Sequence, residues 1–336
     1  MNNNCLYLGI DVSKLKLDVA LPTPDAQHTE CFSNDAPGFQ KLTQWLARFT
    51  LPIHACLEAT GVYGLPVARF LHQRGFKVSI VNPMTIHFFA RTQMSRNKTD
   101  SHDAALIARY AQCHAPRAWQ PPSPAKERLQ QLVRTREQLL ESQVLAQQYL
   151  ESASALGAKH FKALIRHLDG QLKRLERDLR QAVQADQSLQ QAVELLQSIP
   201  GIGLITAVTV LSIMPDIEQL EEARQLAAFA GVTPCQKQSG LSAGKTRMSK
   251  FGHSRLRKAL YFPALTALRH NPRAQALAIR LSQKGKGKMV ILGAVMRLLT
   301  HLIYGVLKHQ RPFDPNYENK TSHRAAASLQ LAPGGG

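Results

Sequence analysis

The first 115 residues carry a pattern that few sheets can satisfy. Three short strand-like runs, 5–12, 15–21 and 27–33, are joined by the turns Ser13-Lys14 and Pro22-Thr23-Pro24-Asp25. In the second run Leu15, Leu17 and Val19 alternate with Lys16, Asp18 and Ala20, the period of a half-buried strand. The period then changes, and Phe39, Leu42, Leu46 and Phe49 fall at helical spacing after Asn34-Asp35-Ala36-Pro37. Strands and helices alternate from there: strand 53–57, helix 62–73 closed by Gly75, strand 76–81, helix 82–94, a basic loop 95–99, and helix 100–113. The order β-β-β-α-β-α-β-α-α predicts a mixed sheet with helices on its faces.

Acidic residues fall at one end of that sheet. Asp11 closes the first strand on the side of Tyr7 and Gly9, opposite Leu6, Leu8 and Ile10. A carboxylate on a mostly apolar strand is costly unless it is paired or binds metal. Glu58 follows the strand at 53–57, which this order places beside the first. Asp100 and Asp103, three apart at a helix start, share one helix face. If that helix crosses the same sheet end, four carboxylates converge and repel by several kcal/mol at low effective dielectric. A divalent cation resolves the conflict. Hard oxygen ligands that leave water in the shell suit Mg²⁺, and two such ions about 4 Å apart are the usual device for phosphodiester chemistry. Each acid also has an ordinary alternative: Asp11 facing water, Glu58 paired with an Arg, Asp100 capping the helix and Asp103 meeting its dipole. Their convergence, more than any one of them, points to metal.

Pro116 to Pro124, including Pro121-Pro122-Ser123-Pro124, reads as a rigid extended linker and a domain boundary. From 125 to about 194 the chain is rich in Leu, Gln, Arg and Glu. Phe161, Leu168 and Leu175 are seven apart, as are Ile165, Leu172 and Leu179. This is the seam of a coiled coil or long helical hairpin that bends near Ser154–Gly157, an arm suited to holding protomers together. The third region, 195–310, opens on Ile199-Pro200-Gly201-Ile202-Gly203 before an apolar helix at 204–213, as in a helix-hairpin-helix element. Backbone N–H groups around Gly201 and Gly203 are candidates for phosphate contact, with a plain tight turn as the alternative. A helix near 222–230 leads to a polar loop at 235–250 with Lys245, Arg247 and Lys250; Arg255, Arg257 and Lys258 extend the cationic cluster. Apolar helices at 256–269 and 290–308 close the fold, with Lys284-Gly285-Lys286-Gly287-Lys288 between them, and the polar tail from 313 to 336 reads as disordered.

Charge narrows the partner. The 336 residues carry 42 Lys and Arg against 23 Asp and Glu, a formal net charge of +19. Such an excess points to a polyanion, nucleic acid before an anionic membrane. The five cysteines, Cys5, Cys31, Cys56, Cys113 and Cys235, form no C-x-x-C pair, which argues against a disulfide framework or zinc site and for a reducing cytoplasm. Met1-Asn2-Asn3-Asn4 lacks the features of a signal peptide. The most apolar run, 290–307, is interrupted by Arg297, Thr300 and His301 and reads as a buried helix, not a membrane span.

Taken together, these motifs resemble a known family. Gly9-Ile10-Asp11-Val12-Ser13-Lys14, Leu57-Glu58-Ala59-Thr60-Gly61 and Lys98-Thr99-Asp100-Ser101-His102-Asp103-Ala104 resemble the DEDD-type insertion-sequence transposases, relatives of the pilin-gene invertases that are also called bridge recombinases. In the second half the resemblance continues through Ile199-Pro200-Gly201-Ile202-Gly203, Ala230-Gly231-Val232-Thr233-Pro234, Gln238-Ser239-Gly240, Lys245-Thr246-Arg247 and Ser249-Lys250-Phe251-Gly252, and it covers about residues 6–310. The strand order is that of the ribonuclease H-like fold. The resemblance implies a RuvC-like catalytic domain at 5–115, the helical arm at 125–194, and a helical C-terminal transposase domain at 195–310. It further implies that Asp11, Glu58, Asp100 and Asp103 bind two Mg²⁺ ions, and that Ser239 is the nucleophile linking covalently to a DNA strand. Lys98 and the later cations would contact nucleic acid. The implied partners are donor and target DNA, a noncoding guide RNA and further copies of the chain, as a dimer or tetramer, in a bacterial cytoplasm at the nucleoid.

Ser239 has a limited case of its own. A hydroxyl is a weak nucleophile until its proton is removed or a cation stabilises the alkoxide. Lys237, Lys245 and Arg247 surround it in sequence, yet loop serines are common, and the nucleophile's role rests on the resemblance. Lys237 departs from the family's uncharged pattern, and Ser242 is a rival nucleophile. Two readings stand beside the recombinase: a junction-resolving nuclease that needs the four acids alone, and a nucleic-acid binder whose acids are structural.

Overall fold

In the computed structural model the described residues are 5–59, 61, 63–92, 100–236, 238–239, 242–243 and 246–317; at 100–102, 238–239 and 242–243 only the backbone is described. The chain divides into two compact units, one up to Pro121 and one from Pro122.

The first unit is built on β1 (Leu6–Val12), β2 (Lys16–Pro22), β3 (Gln27–Ser33), β4 (Ile53–Glu58) and β5 (Lys77–Val81). Their order is β3-β2-β1-β4-β5. The first three strands are antiparallel, and β4 and β5 continue in parallel beside β1. The crossovers are α1 (Ala36–Leu46) and α2 (Gly64–Gln73), followed by α3 (Pro83–Thr92) and α4 (Asp100–His114). Asp35 sets the start of α1, its carboxylate accepting the Gly38 N–H at 2.8 Å, with Pro37 in the first turn where no intrahelical donor is needed. One sheet face packs Leu8, Ile10, Leu17 and Leu57 against Phe39, Leu42, Leu46, Val67 and Leu71 of α1 and α2. On the other face Cys56 and Val81 pack with Ile107 and Ala111 of α4.

That second face buries a polar pair as well. The side chains of His54 and Ser79 are shielded from solvent, with Nε2 2.7 Å from the Ser79 hydroxyl. The hydroxyl donates toward the carbonyls of Arg117 (2.7 Å) and Pro116 (3.0 Å), so Nε2 carries the ring proton and donates to Ser79. The Trp119 N–H adds a bond to the Val78 carbonyl at 2.7 Å. The start of the segment expected as a rigid extended linker is fastened to the β5 edge over 116–119.

The second unit opens with α5 (Pro124–Ser152) and α6 (Ala155–Gln184). They form an antiparallel hairpin, with Arg136 facing Glu176, Gln143 facing Asp169 and Tyr149 facing Phe161. Ser154 caps α6 through the Gly157 N–H. Leu168, Leu172, Leu175 and Leu179 are buried within the chain, so the heptad seam is filled by its own partner helix. Then come α7 (Gln187–Gln197), α8 (Leu204–Ile213), a short 3₁₀ turn, and α9 (Ala223–Ala230). The expected polar loop at 235–250 is instead a narrow ribbon of β6 (Pro234–Cys235), β7 (Gln238–Ser239), β8 (Ser242–Ala243) and β9 (Arg247–Met248).

Four helices follow, α10 (Ser254–Ala259), α11 (Tyr261–His270), α12 (Pro272–Gln283) and α13 (Lys288–His309). The single helix expected at 256–269 is broken because Pro263 cannot donate to, and clashes with, the carbonyl four residues back at Ala259. The helix α12 was not expected; Asn271 caps it by accepting the Arg273 and Ala274 N–H groups, and Pro272 takes its first position. Among the described residues α13 is the one helix long and apolar enough to cross a membrane, and 50% of that stretch is buried inside the protein. Phe313, expected in the tail, packs on this core and donates its N–H to Ser198 Oγ at 2.8 Å. The tail beyond Tyr317 lies outside the described residues.

Candidate active site

Two adjacent parallel strands position the first two acids. β1 and β4 pair from Leu6↔Ile53 to Ile10↔Leu57, and one further step sets Asp11 beside Glu58 at the strands' carboxyl ends. The third element is fixed by a missing side chain. A Cβ on Gly9 would stand 2.0 Å from the Ala104 carbonyl oxygen and 2.5 Å from the Ala108 nitrogen, so α4 rests directly on the β1 backbone. Tyr7 packs in one cluster with Cys56, Ile107 and Tyr110, later along α4. The helix thus runs antiparallel to β1, and its first turn, with Asp100 and Asp103, approaches the level of Asp11. Two strand residues and one helical turn each cover about 5–7 Å, so the levels match.

The three acids Asp11, Glu58 and Asp103 are half-buried. The side chain of Asp100 is outside the description, and among the described residues no three His, Cys, Asp or Glu side chains are grouped closely enough to hold a metal ion. As a donor set these are hard carboxylate oxygens that suit Mg²⁺. Cys56, on the same sheet face beside Gly9, is buried and its pKa is pushed up to about 12 by desolvation, so it does not compete as a thiolate.

The sequence reading passed over one acid. Asp18 on β2 lies directly opposite Asp11. It is ion-paired to Lys16 at 3.1 Å, and it helps hold the Cys31 thiol above its ordinary pKa, second to burial itself. The turn read at Ser13-Lys14 would set Asp11 opposite Lys16; the observed pairing of Val12 with Leu17 leaves four residues in the turn and brings Asp18 there instead.

Ser239 lies on the ribbon of the second unit. β7 and β8 pair Ser239 with Ser242, and β6 and β9 pair Cys235 with Arg247. The two rival serines are therefore cross-strand partners. At the ribbon's base, Gly231 ends α9 in the left-handed region (φ 69°), and a Cβ there would stand 2.7 Å from Arg257. A Cβ on Gly252 would meet the Gly231 nitrogen at 2.5 Å. Arg257 donates from one guanidinium nitrogen to the Ala230 and Lys250 carbonyls, both at 3.2 Å. It ties the last carbonyl of α9 to the strand leaving the ribbon.

The remaining candidate contacts divide by environment. Arg255 is ion-paired with Glu137 at 2.7 Å. Arg247, Lys250 and Lys258 are exposed. Gly201 serves packing, since a Cβ would meet the Pro263 carbonyl at 2.8 Å, whereas Gly203 is open and precedes α8 with no side-chain cap. Lys98, Lys237, Gly240 and Lys245 lie outside the described residues.

Comparison with known proteins decides the family. Residues 8–153 match the profile of a DEDD transposase family of IS110 type, described as transposase. Residues 193–278 match the transposase IS116/IS110/IS902 family. A pilin gene-inverting protein of Moraxella lacunata is 34% identical over 313 residues, covering 92% of this chain and 97% of the relative. The chain belongs to the IS110-type transposase family. The pilin gene-inverting protein of Moraxella bovis is equally similar, at 34% over 313 residues. The transposase for insertion sequence element IS1111A of Coxiella burnetii is 28% identical over 226 residues, 58% of this chain and 61% of that one. The family matches agree with the resemblance read from the motifs, and the mixed five-stranded sheet agrees with a ribonuclease H-like first domain.

Proposed function

We propose that this IS110-type transposase cuts and rejoins DNA strands, with Asp11, Glu58, Asp100 and Asp103 as ligands of two Mg²⁺ ions and Ser239 as the nucleophile. The observation that supports the acidic site best is the Gly9 contact. It sets the first turn of α4 against the end of β1, where Asp11 adjoins Glu58. Bound there, Mg²⁺ would lower the cost of charge on the attacking and leaving oxygens. The carboxylates supply its ligands, and the rigid β1–α4 contact holds them at fixed spacing.

The ribbon presents Ser239. Its Oγ forms a bond to a strand phosphorus, the phosphodiester P–O bond breaks, and the serine proton ends on the departing strand hydroxyl. Attack on the phosphoserine by a hydroxyl of a second strand restores the serine and joins DNA. Both halves of this chemistry are needed at one phosphate, so we assign the active site to an assembly, a dimer or tetramer, that brings the acids of the first unit and the serine of the second together. Exposed Arg247, Lys250 and Lys258, with Lys98 and Lys245, contact the backbone of donor and target DNA. Sequence is chosen by base pairing with a noncoding guide RNA, while the protein reads shape and charge.

The test uses supercoiled plasmid carrying donor and target sites, Mg²⁺, and the RNA that copurifies with the protein. Wild type should form a covalent protein–DNA adduct and recombinant product; Ser239→Ala should form neither, and Asp11→Asn should abolish both. Cleavage without an adduct, retained by Ser239→Ala, would establish a nuclease of the acids alone and refute the serine step. A Ser242→Ala variant that alone loses the adduct would move the nucleophile across the ribbon.

A further inference from the structure

The helix α11 turns large apolar side chains to solvent. Phe262 is 74% exposed, Leu265 39% and Tyr261 36%. The face beneath them is fixed: Pro263, Ala264 and Ala267 are buried, and the Pro263 carbonyl and Ala267 pack against Gly201. The two rings meet edge to face, 5.4 Å between centroids at 89°. An exposed phenylalanine forgoes the hydrophobic gain of burial, so the fold itself has no use for Phe262 in this position. A rigid aromatic pair held at the surface is a stacking platform awaiting a flat partner.

Charge identifies that partner. Lys258 stands in the last turn of α10, just before α11 begins, and Arg269 lies one turn beyond Leu265 on α11. Both are exposed, and neither is in an ion pair among the described residues. From Ala223 to Phe313 the sequence has seventeen Lys and Arg and no Asp or Glu. A second copy docking this face on itself would set Lys258 and Arg269 against the same cations, because a twofold interface is self-complementary. A duplex offers phosphates to the cations but keeps its base faces stacked inside. An unpaired strand offers both, phosphates for Lys258 and Arg269 and base faces for Tyr261 and Phe262.

We infer that the exposed face of α11, Tyr261, Phe262, Leu265 and Arg269, with Lys258 at the end of α10, binds an unpaired DNA strand by base stacking between flanking phosphate contacts. The assignment to DNA rests on the strand exchange proposed above; the stacking itself rests on the geometry of α11. During exchange, strands must leave their duplex, and this face would hold one out of the helix.

The probe is a fluorescent twenty-nucleotide dT strand, read by anisotropy with the full-length protein and compared with a twenty-base-pair duplex and with rU of the same length. The double variant Tyr261→Ala, Phe262→Ala should weaken dT binding about tenfold or more and leave duplex binding and its salt dependence unchanged. Phe262→Trp should restore most of the affinity, and the unchanged thermal unfolding of both variants shows an intact fold. Lys258→Gln should weaken dT and duplex alike and reduce the salt slope by about one. Asp11→Asn should lose recombination yet bind dT as wild type does; recombination retained in Asp11→Asn, with dT binding intact, refutes the chemistry proposed above and leaves the platform standing. Unchanged dT affinity in the double variant, an equal loss on duplex, a loss confined to rU, or a changed oligomeric state without a change in dT affinity overturns the inference.

Discussion

The contact at Gly9 permits a quantitative test. In Gly9→Ala the new methyl would lie 2.0 Å from the Ala104 oxygen, 2.5 Å from the Ala108 nitrogen and 3.0 Å from the Ala108 Cβ. Two of these are backbone atoms of α4, so no rotamer change relieves them. The helix must retreat by about 1 Å to reach even the closest tolerated contact of roughly 3 Å, and by more for ordinary packing. Overpacking of this kind costs about 1–3 kcal/mol. The helix also carries Asp100 and Asp103, and a displacement of about 1 Å in catalytic geometry can cost about 10²-fold in rate. Urea unfolding should show a lower midpoint at constant slope, and recombination of supercoiled plasmid should fall by about two orders of magnitude at a temperature where the variant is folded. Gly170→Ala is the control: it lies inside α6 with nothing within 4 Å of the added methyl, and it should gain about 0.5–1 kcal/mol with activity unchanged. A Gly9→Ala protein with wild-type stability and wild-type activity would show that α4 does not fix the acids, and the reasoning would fail.

Other consequences can be measured as directly. Burial first, and Lys77 second, depress the His54 pKa from 6.5 to about 4. A depressed histidine contributes its stability fully above pH 6.5 and loses it as pH falls toward 4, because the unfolded chain binds the extra proton. Wild type should therefore lose about 2 kcal/mol more than His54→Gln between pH 7 and pH 5 in urea titrations, an equal loss in both excluding His54 as the cause. Arg257→Ala removes both bonds to Ala230 and Lys250, and should cost about 1–2 kcal/mol of stability. Arg257→Lys should recover only part, since its shorter side chain holds the ammonium back from the two carbonyls that the Arg257 nitrogen reaches; lost DNA affinity at unchanged stability would place Arg257 on DNA instead.

The first unit was largely legible because its strands are long enough to show a period. β3 and α4 begin where the sequence places them, and the pairing of β1 with β4 follows from the order of elements alone. The ribbon was not legible. Each of its four strands is two residues long, too short for alternation, so β6 through β9 read as polar loop. The helix α12 escaped for a related reason: Ala274 is its one fully buried residue, and the Asn271-Pro272 start signal was the usable clue. Arg257 shows the limit of reading charge from sequence. Lys250, Arg257 and Lys258 look alike in a basic run, yet Lys258 is exposed while Arg257 is drawn inward by two carbonyls. Of the acids, Asp11 and Glu58 were placed by strand order, whereas Asp18 required the hairpin register. Nothing in the residues around Ser239 singles it out apart from the family resemblance.

The hairpin of α5 and α6 has a mechanical consequence. At 1.5 Å per residue its two helices are each about 44 Å long. Their roots, Leu129 and Val133 on one side and Leu179 and Val183 on the other, belong to the core of the second unit. The bend between Ser152 and Ala155 lies about 28 Å beyond Val133. A rotation of about 10° at the root carries that end through roughly 5 Å, comparable to one helical turn. The hairpin is thus a lever arm, and whatever grips its far end can be displaced by a small rearrangement among the side chains at its base.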